Sequence, residues 1–222
     1  LHSAGHANTA TGDGVLSTTQ AGQEPEDVYR YDPHDPAPTV KGLIDPDDPD
    51  EQSELGPFDQ REVETREDVL CYTTAPLEQP VEVTGPIELV LYVSSSARDT
   101  DFTGKLIDVH PDGRAEFLSD GILRARYRES LAEPKLMEPG HVYELRIDLG
   151  ATSNVFLAGH RMRLEVSSSN FPRFDRNTNT GGNIPTEREE DLKVAINRVH
   201  HSSAHPSHLI LPVIERAEYE WL

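Results

Sequence analysis

At 222 residues the chain is long for an average domain but within the reach of a single all-β sandwich or barrel, so one core is expected. Hydrophobic residues make up 35% and charged residues 27%, which permits a packed core only if much of the polarity lies in loops and arms. Forty acidic residues against twenty basic ones give a net charge of −20, which repels phosphate backbones and anionic membrane surfaces and argues against nucleic acid as a partner.

Cys71 is the only cysteine, so neither an intrachain disulfide nor a thiolate metal cluster can form. No run approaches the roughly eighteen apolar residues of a membrane span. Leu1-His2-Ser3 has neither the basic region nor the apolar stretch of a signal peptide, and no initiator Met. The expectation is a soluble, cytoplasmic piece of something longer.

Residues 1–75 carry "GHANTATGDG", "YDPHDPAPT" and "DPDDPDEQSE", where repeated proline fixes φ and removes backbone donors. They read as an extended connector arm with turns, covered by a neighbouring surface or by a second copy in a homodimer. From about residue 79 the period becomes two. In "IELVLYV" (87–93), Ile87, Leu89, Leu91 and Val93 point one way and Glu88, Val90 and Tyr92 the other. The segments 105–109, 122–128, 142–149, 161–167, 192–199 and 208–214 repeat this design between Pro-Asp-Gly, Glu-Pro-Gly and Thr-Gly-Gly turns, and 215–222 reads as a closing strand. Residues 76–222 are thus expected to form an all-β, antiparallel two-sheet sandwich of the jelly-roll kind.

The chain has no G-x-S-x-G elbow to lift a serine above a sheet; "LHSAG" matches only its second half. The acidic run 45–54 fails as an EF-hand loop, since Pro49 and Asp50 fall on the fifth and sixth positions. His200, His201, His205 and His208, and His2 with His6, lack the convergent spacing zinc requires. No catalytic residue, metal or cofactor is therefore expected. The loop "SNFPRFDRNTNTGGN" (169–183) offers Asn170, Phe171, Arg173, Phe174, Asp175, Asn177 and Asn179 as a cleft or ligand loop that could suit a sugar. Its bland alternative has Phe171 and Phe174 anchoring the loop on the sandwich while Asn and Gly make its turns.

The stretch "SSSARDTDFTGKLIDVHPDG" (94–113), with "GILRARYR", "PGHVYELRIDLGATSNVFLAGHRMRLEVSSSNFPRFDRNTNTG" and "HPSHLILPVI", resembles the carboxy-terminal domain of X-Pro dipeptidyl-peptidase and cocaine-esterase-type serine hydrolases. The resemblance implies a galactose-binding-like jelly roll that packs on an α/β-hydrolase domain of the same protein and shapes its substrate cleft. That domain would supply the triad and take a small ester, amide or peptide. Asp99, Asp101, Phe102, Lys105, Asp108, Asp112 and Gly113 are then structural signature positions; the first three fix a corner between strands, and Pro111-Asp112-Gly113 makes a turn. A carbohydrate- or calcium-binding sandwich module is the alternative.

Overall fold

The computed structural model describes residues 1–40 and 58–215. The acidic run 45–54 and, Glu215 apart, the expected closing strand lie outside them. The described strands are β1 (Asp27–Tyr31), β2 (Leu70–Thr73), β3 (Val81–Ser95), β4 (Asp101–Val109), β5 (Ala115–Arg124), β6 (Tyr143–Phe156), β7 (Arg161–Ser167), β8 (Ala195–His200), β9 (His208–Ile210) and β10 (Val213–Ile214). All named strand pairs are antiparallel. Among the described residues no helix is long and apolar enough to cross a membrane.

Two open sheets form the sandwich. In the first, β3 pairs with β6 along one flank, while its other flank is shared by β10, β9 and β8, and β1 pairs with β8. The second has the order β2-β7-β4-β5. The period-two reading of residues 87–93 holds: Ile87, Leu89, Leu91 and Val93 are buried in the inter-sheet core with Leu145 and Ile147 of β6, Leu106 of β4 and Leu164 of β7. Each such side chain contributes about 1.5–3 kcal/mol by leaving water. At one corner β5 lies so close to β6 that a Cβ on Gly121 would sit 2.0 Å from the Asp148 carbonyl oxygen, so only glycine fits there.

Residues before 75 differ from the expected arm. β1 and β2 belong to the two sheets, and Tyr29, Tyr31, Leu70 and Tyr72 lie in the same core as β3 and β6. The boundary drawn at residue 75 therefore falls at the end of a sheet strand. "DVYRY" alternates buried and exposed, but it is only five residues long, is flanked by Pro25 and Pro33, and turns the charged Asp27 inward, which hid its period. Segment 58–69 crosses the outer face of the second sheet, where Val63 and Val69 pack with Cys71 and bury a polar layer.

Candidate functional site

The signature stretch and the long polar loop meet in one buried network. Asp99 precedes β4 and Asp101 opens it; Asn177, after β7, donates its amide hydrogens to Asp99 Oδ2 at 2.8 Å and Asp101 Oδ1 at 2.7 Å. Arg124 at the end of β5 grips Asp101 through two 3.0 Å bonds, and Arg126 donates its Nε–H to Asp99 at 2.8 Å. Burial pushes the Asp101 carboxyl up to about 6 although Arg124 and Asn177 both favour its charge. Tyr31 donates its hydroxyl hydrogen to the Asn177 carbonyl at 3.1 Å, which ties β1 to the same knot.

The remaining loop residues divide between interior and surface. Asn170 donates to Asp120 at 2.8 Å and Asn179 to the Lys193 carbonyl at 2.6 Å; both are buried. Phe171, Arg173 and Asp175 are exposed and Phe174 is half-buried under the Arg173 guanidinium. The anchors are thus the asparagines rather than the phenylalanines. Phe171 is held by its backbone, its N–H donating to Ala37 and its carbonyl accepting from Thr39. Sequence reasoning missed Arg124 and Arg126; the expected strand 122–128 ends at Arg124, and Ala125–Tyr127 forms a 3-10 turn that brings Arg126 to Asp99.

The other signature residues serve different ends. Phe102 lies in the core. Asp112 accepts the Arg114 N–H at 3.0 Å, and Gly113, at φ +89°, completes the expected turn. Lys105 donates to Gln60 at 3.1 Å and lies 3.6 Å from Glu165, in the layer under segment 58–69 where Arg163 contacts Glu64. Burial pushes the Glu165 carboxyl up; Lys105 opposes this, and the neighbouring Glu64 adds to it. Burial also pushes the Cys71 thiol up, away from the thiolate a nucleophile needs.

A Ser-His-Asp grouping missed by sequence reasoning lies at the base of β1. Ser3 Oγ is 2.7 Å from Asp27 Oδ1 and 3.2 Å from His201 Nε2, and the same His201 nitrogen is 3.0 Å from Asp27 Oδ2. A working triad puts serine and carboxylate on opposite imidazole nitrogens. Here both face one nitrogen, the serine proton goes to the carboxylate, and all three residues are buried. Burial alone would push the Asp27 carboxyl up, but bonds from His201, Ala7 N–H, Ser3 and Tyr72 hold it below the usual range. The group is a structural clasp.

At the far end of β4, Asp108 is 2.9 Å from His160 Nδ1, and the donor atoms of Asp108, His110 and His160 lie within 4.8 Å of one another. His110 lines an open cleft of about 680 Å³ together with Pro111, Gly159, Arg161 and Asp13.

Residues 2–210 match the family described as X-Pro dipeptidyl-peptidase C-terminal non-catalytic domain. The chain is 55% identical over 216 residues to the cocaine esterase of Rhodococcus sp. (strain MB1 Bresler), covering 97% of this chain and 37% of that protein. Among solved structures, an aminopeptidase from a marine sediment archaeon, Thaumarchaeota archaeon, superposes with a TM-score of 0.86 at 33% identity, over 96% of this chain and 37% of that one. An α-amino acid ester hydrolase superposes with a TM-score of 0.80 at 33% identity, over 96% and 36%. The chain therefore spans little more than a third of these proteins.

Proposed function

Because the chain belongs to the X-Pro dipeptidyl-peptidase C-terminal non-catalytic domain family, we propose that it packs on an α/β-hydrolase domain of the same protein and walls the cleft in which a small ester, amide or peptide is cleaved. One observation carries the reading: nearly the whole chain aligns at 55% identity with a cocaine esterase, yet accounts for only 37% of it. The geometry supports it, since Asp99, Asp101, Asn177, Asn179 and the Ser3, Asp27 and His201 clasp are spent on holding the sandwich together. The test supplies the chain in trans to the Rhodococcus cocaine esterase lacking its matching region. A 1:1 complex with restored ester hydrolysis is expected, while the chain alone hydrolyses no activated ester beyond a heat-denatured control. Stoichiometric labelling of one serine of the isolated chain by an active-site serine probe would overturn the assignment. So would complete failure of the two pieces to associate. The mass of the isolated chain in solution separates the monomer from a homodimer.

A further inference from the structure

Asp108 near the end of β4 and His110 just beyond it are two residues apart, the spacing that sends side chains to one face of a strand. His160 arrives from the turn between β6 and β7, immediately before β7, and Glu116 is the second residue of β5. Glu116 Oε2 lies 2.9 Å from His110 Nε2, and the His110 and His160 ring centroids are 4.3 Å apart. From this convergence we propose that Asp108, His110, His160 and Glu116 form a binding site for a divalent first-row transition ion, with zinc the closest fit.

Two imidazoles with two carboxylates are a borderline nitrogen and oxygen set, which suits zinc and its neighbours, whereas calcium and magnesium favour oxygen alone. Bonds of about 2.0–2.2 Å to a tetrahedral ion separate its ligand atoms by about 3.3–3.6 Å. The pairs Asp108–His160 and His110–Glu116 already stand at 2.9 Å, and the Asp108, His110 and His160 donors lie within 4.8 Å of one another; Glu116 stands outside that trio, beside His110, and completes the set by a side-chain rotation. Asp108 and His160 are held by burial, with side chains 9% and 10% exposed, while His110 and Glu116, at 20% and 21%, leave a path from the cleft.

One group opposes the ion. The Arg114 guanidinium lies 3.2 Å from the His110 ring nitrogens and 3.1 Å from Glu116, where it neutralises the carboxylate. Its side chain is 46% exposed and can turn out to water when a metal enters. Arg161 borders the cleft and donates to the Thr74 carbonyl, and Asp59 accepts the Ala115 N–H. A bound ion would tie the turn after β4 to the turn before β7. This site departs from the expectation of no metal, which weighed the dense histidine clusters; here the partners lie some fifty residues apart in the chain.

The test titrates the metal-stripped 222-residue chain with zinc against a fluorescent chelator, follows the visible absorption of cobalt, and records melting temperature with and without zinc. One equivalent should bind and raise the melting temperature. His110→Phe removes a partly exposed ligand and should weaken binding at least about tenfold and abolish the thermal shift. Arg114→Gln should tighten binding several-fold, and His205→Ala should leave it unchanged. His110→Phe melting without zinc reports whether the variant is folded. The absence of saturable binding, or zinc binding that a folded His110→Phe retains and His205→Ala loses, overturns the site.

Discussion

Asn177 reaches across 76 residues of chain to donate a hydrogen to Asp101 at 2.7 Å, and it gives its other amide hydrogen to Asp99. One neutral amide thus stands between two buried carboxylates. Asn177→Ala should cost about 1–3 kcal/mol by leaving those acceptors underserved. Asn177→Asp adds a third acid to the knot and should cost more, with the excess shrinking as pH falls and the carboxyls protonate. Urea midpoints for both variants across pH check the order and the narrowing of the gap as pH falls.

Asp27 is held below the ordinary carboxyl range by bonds that outweigh its burial. A carboxyl depressed in the folded state adds stability above its ordinary titration range, and this is lost as pH falls through the folded value. Asp27→Asn should therefore flatten the acid limb of the stability profile. Asp27→Ala should lose about 3–5 kcal/mol at neutral pH, because it strands Ser3, His201 and Tyr72. Denaturant unfolding from acid to neutral pH measures both.

Glu165 carries the opposite sign. Its carboxyl is pushed up by burial and by Glu64, so the folded chain binds a proton that the unfolded chain has released, and stability falls as pH rises from the ordinary glutamate range towards neutrality. In Glu165→Gln the difference in unfolding free energy between about pH 5 and about pH 8 should shrink.

A chain beginning at residue 76 lacks β1, β2 and the buried Tyr29, Tyr31, Leu70 and Tyr72. At about 1.5–3 kcal/mol apiece these four side chains are comparable to the whole stability of an ordinary domain, about 5–15 kcal/mol. The shortened chain should show no cooperative unfolding transition by circular dichroism, and a sharp one would mean the sandwich stands without its first strands.

The legible part of the fold was the part with an uninterrupted period. "RMRLEVS" is β7 to the residue, and the four apolar positions of 87–93 face the core as their alternation required. "LCYT" and "DVYRY" were too short, and their prolines and inward acid too distracting, to register as strands. Of the site, the turn at Asp112 and Gly113 could be read from local chemistry. That Asn177 serves Asp99 and Asp101 could not, because nothing local in "RNTNTG" indicates which carboxylates, 76 and 78 residues away, will meet it.

The long strand β3 has one neighbour on one flank and three on the other, and those three, β8, β9 and β10, are the last described strands. As a ribosome delivers the chain, β3 and β6 can zip together as soon as residue 156 is out, but the opposite flank of β3 stays bare through the next forty or so residues of synthesis, a wait of seconds at about 5–20 residues per second. An unpaired edge of that length is an invitation to another chain. The nascent sandwich is thus most exposed to misassembly between the emergence of residue 156 and that of residues 195–214, whose arrival covers the edge.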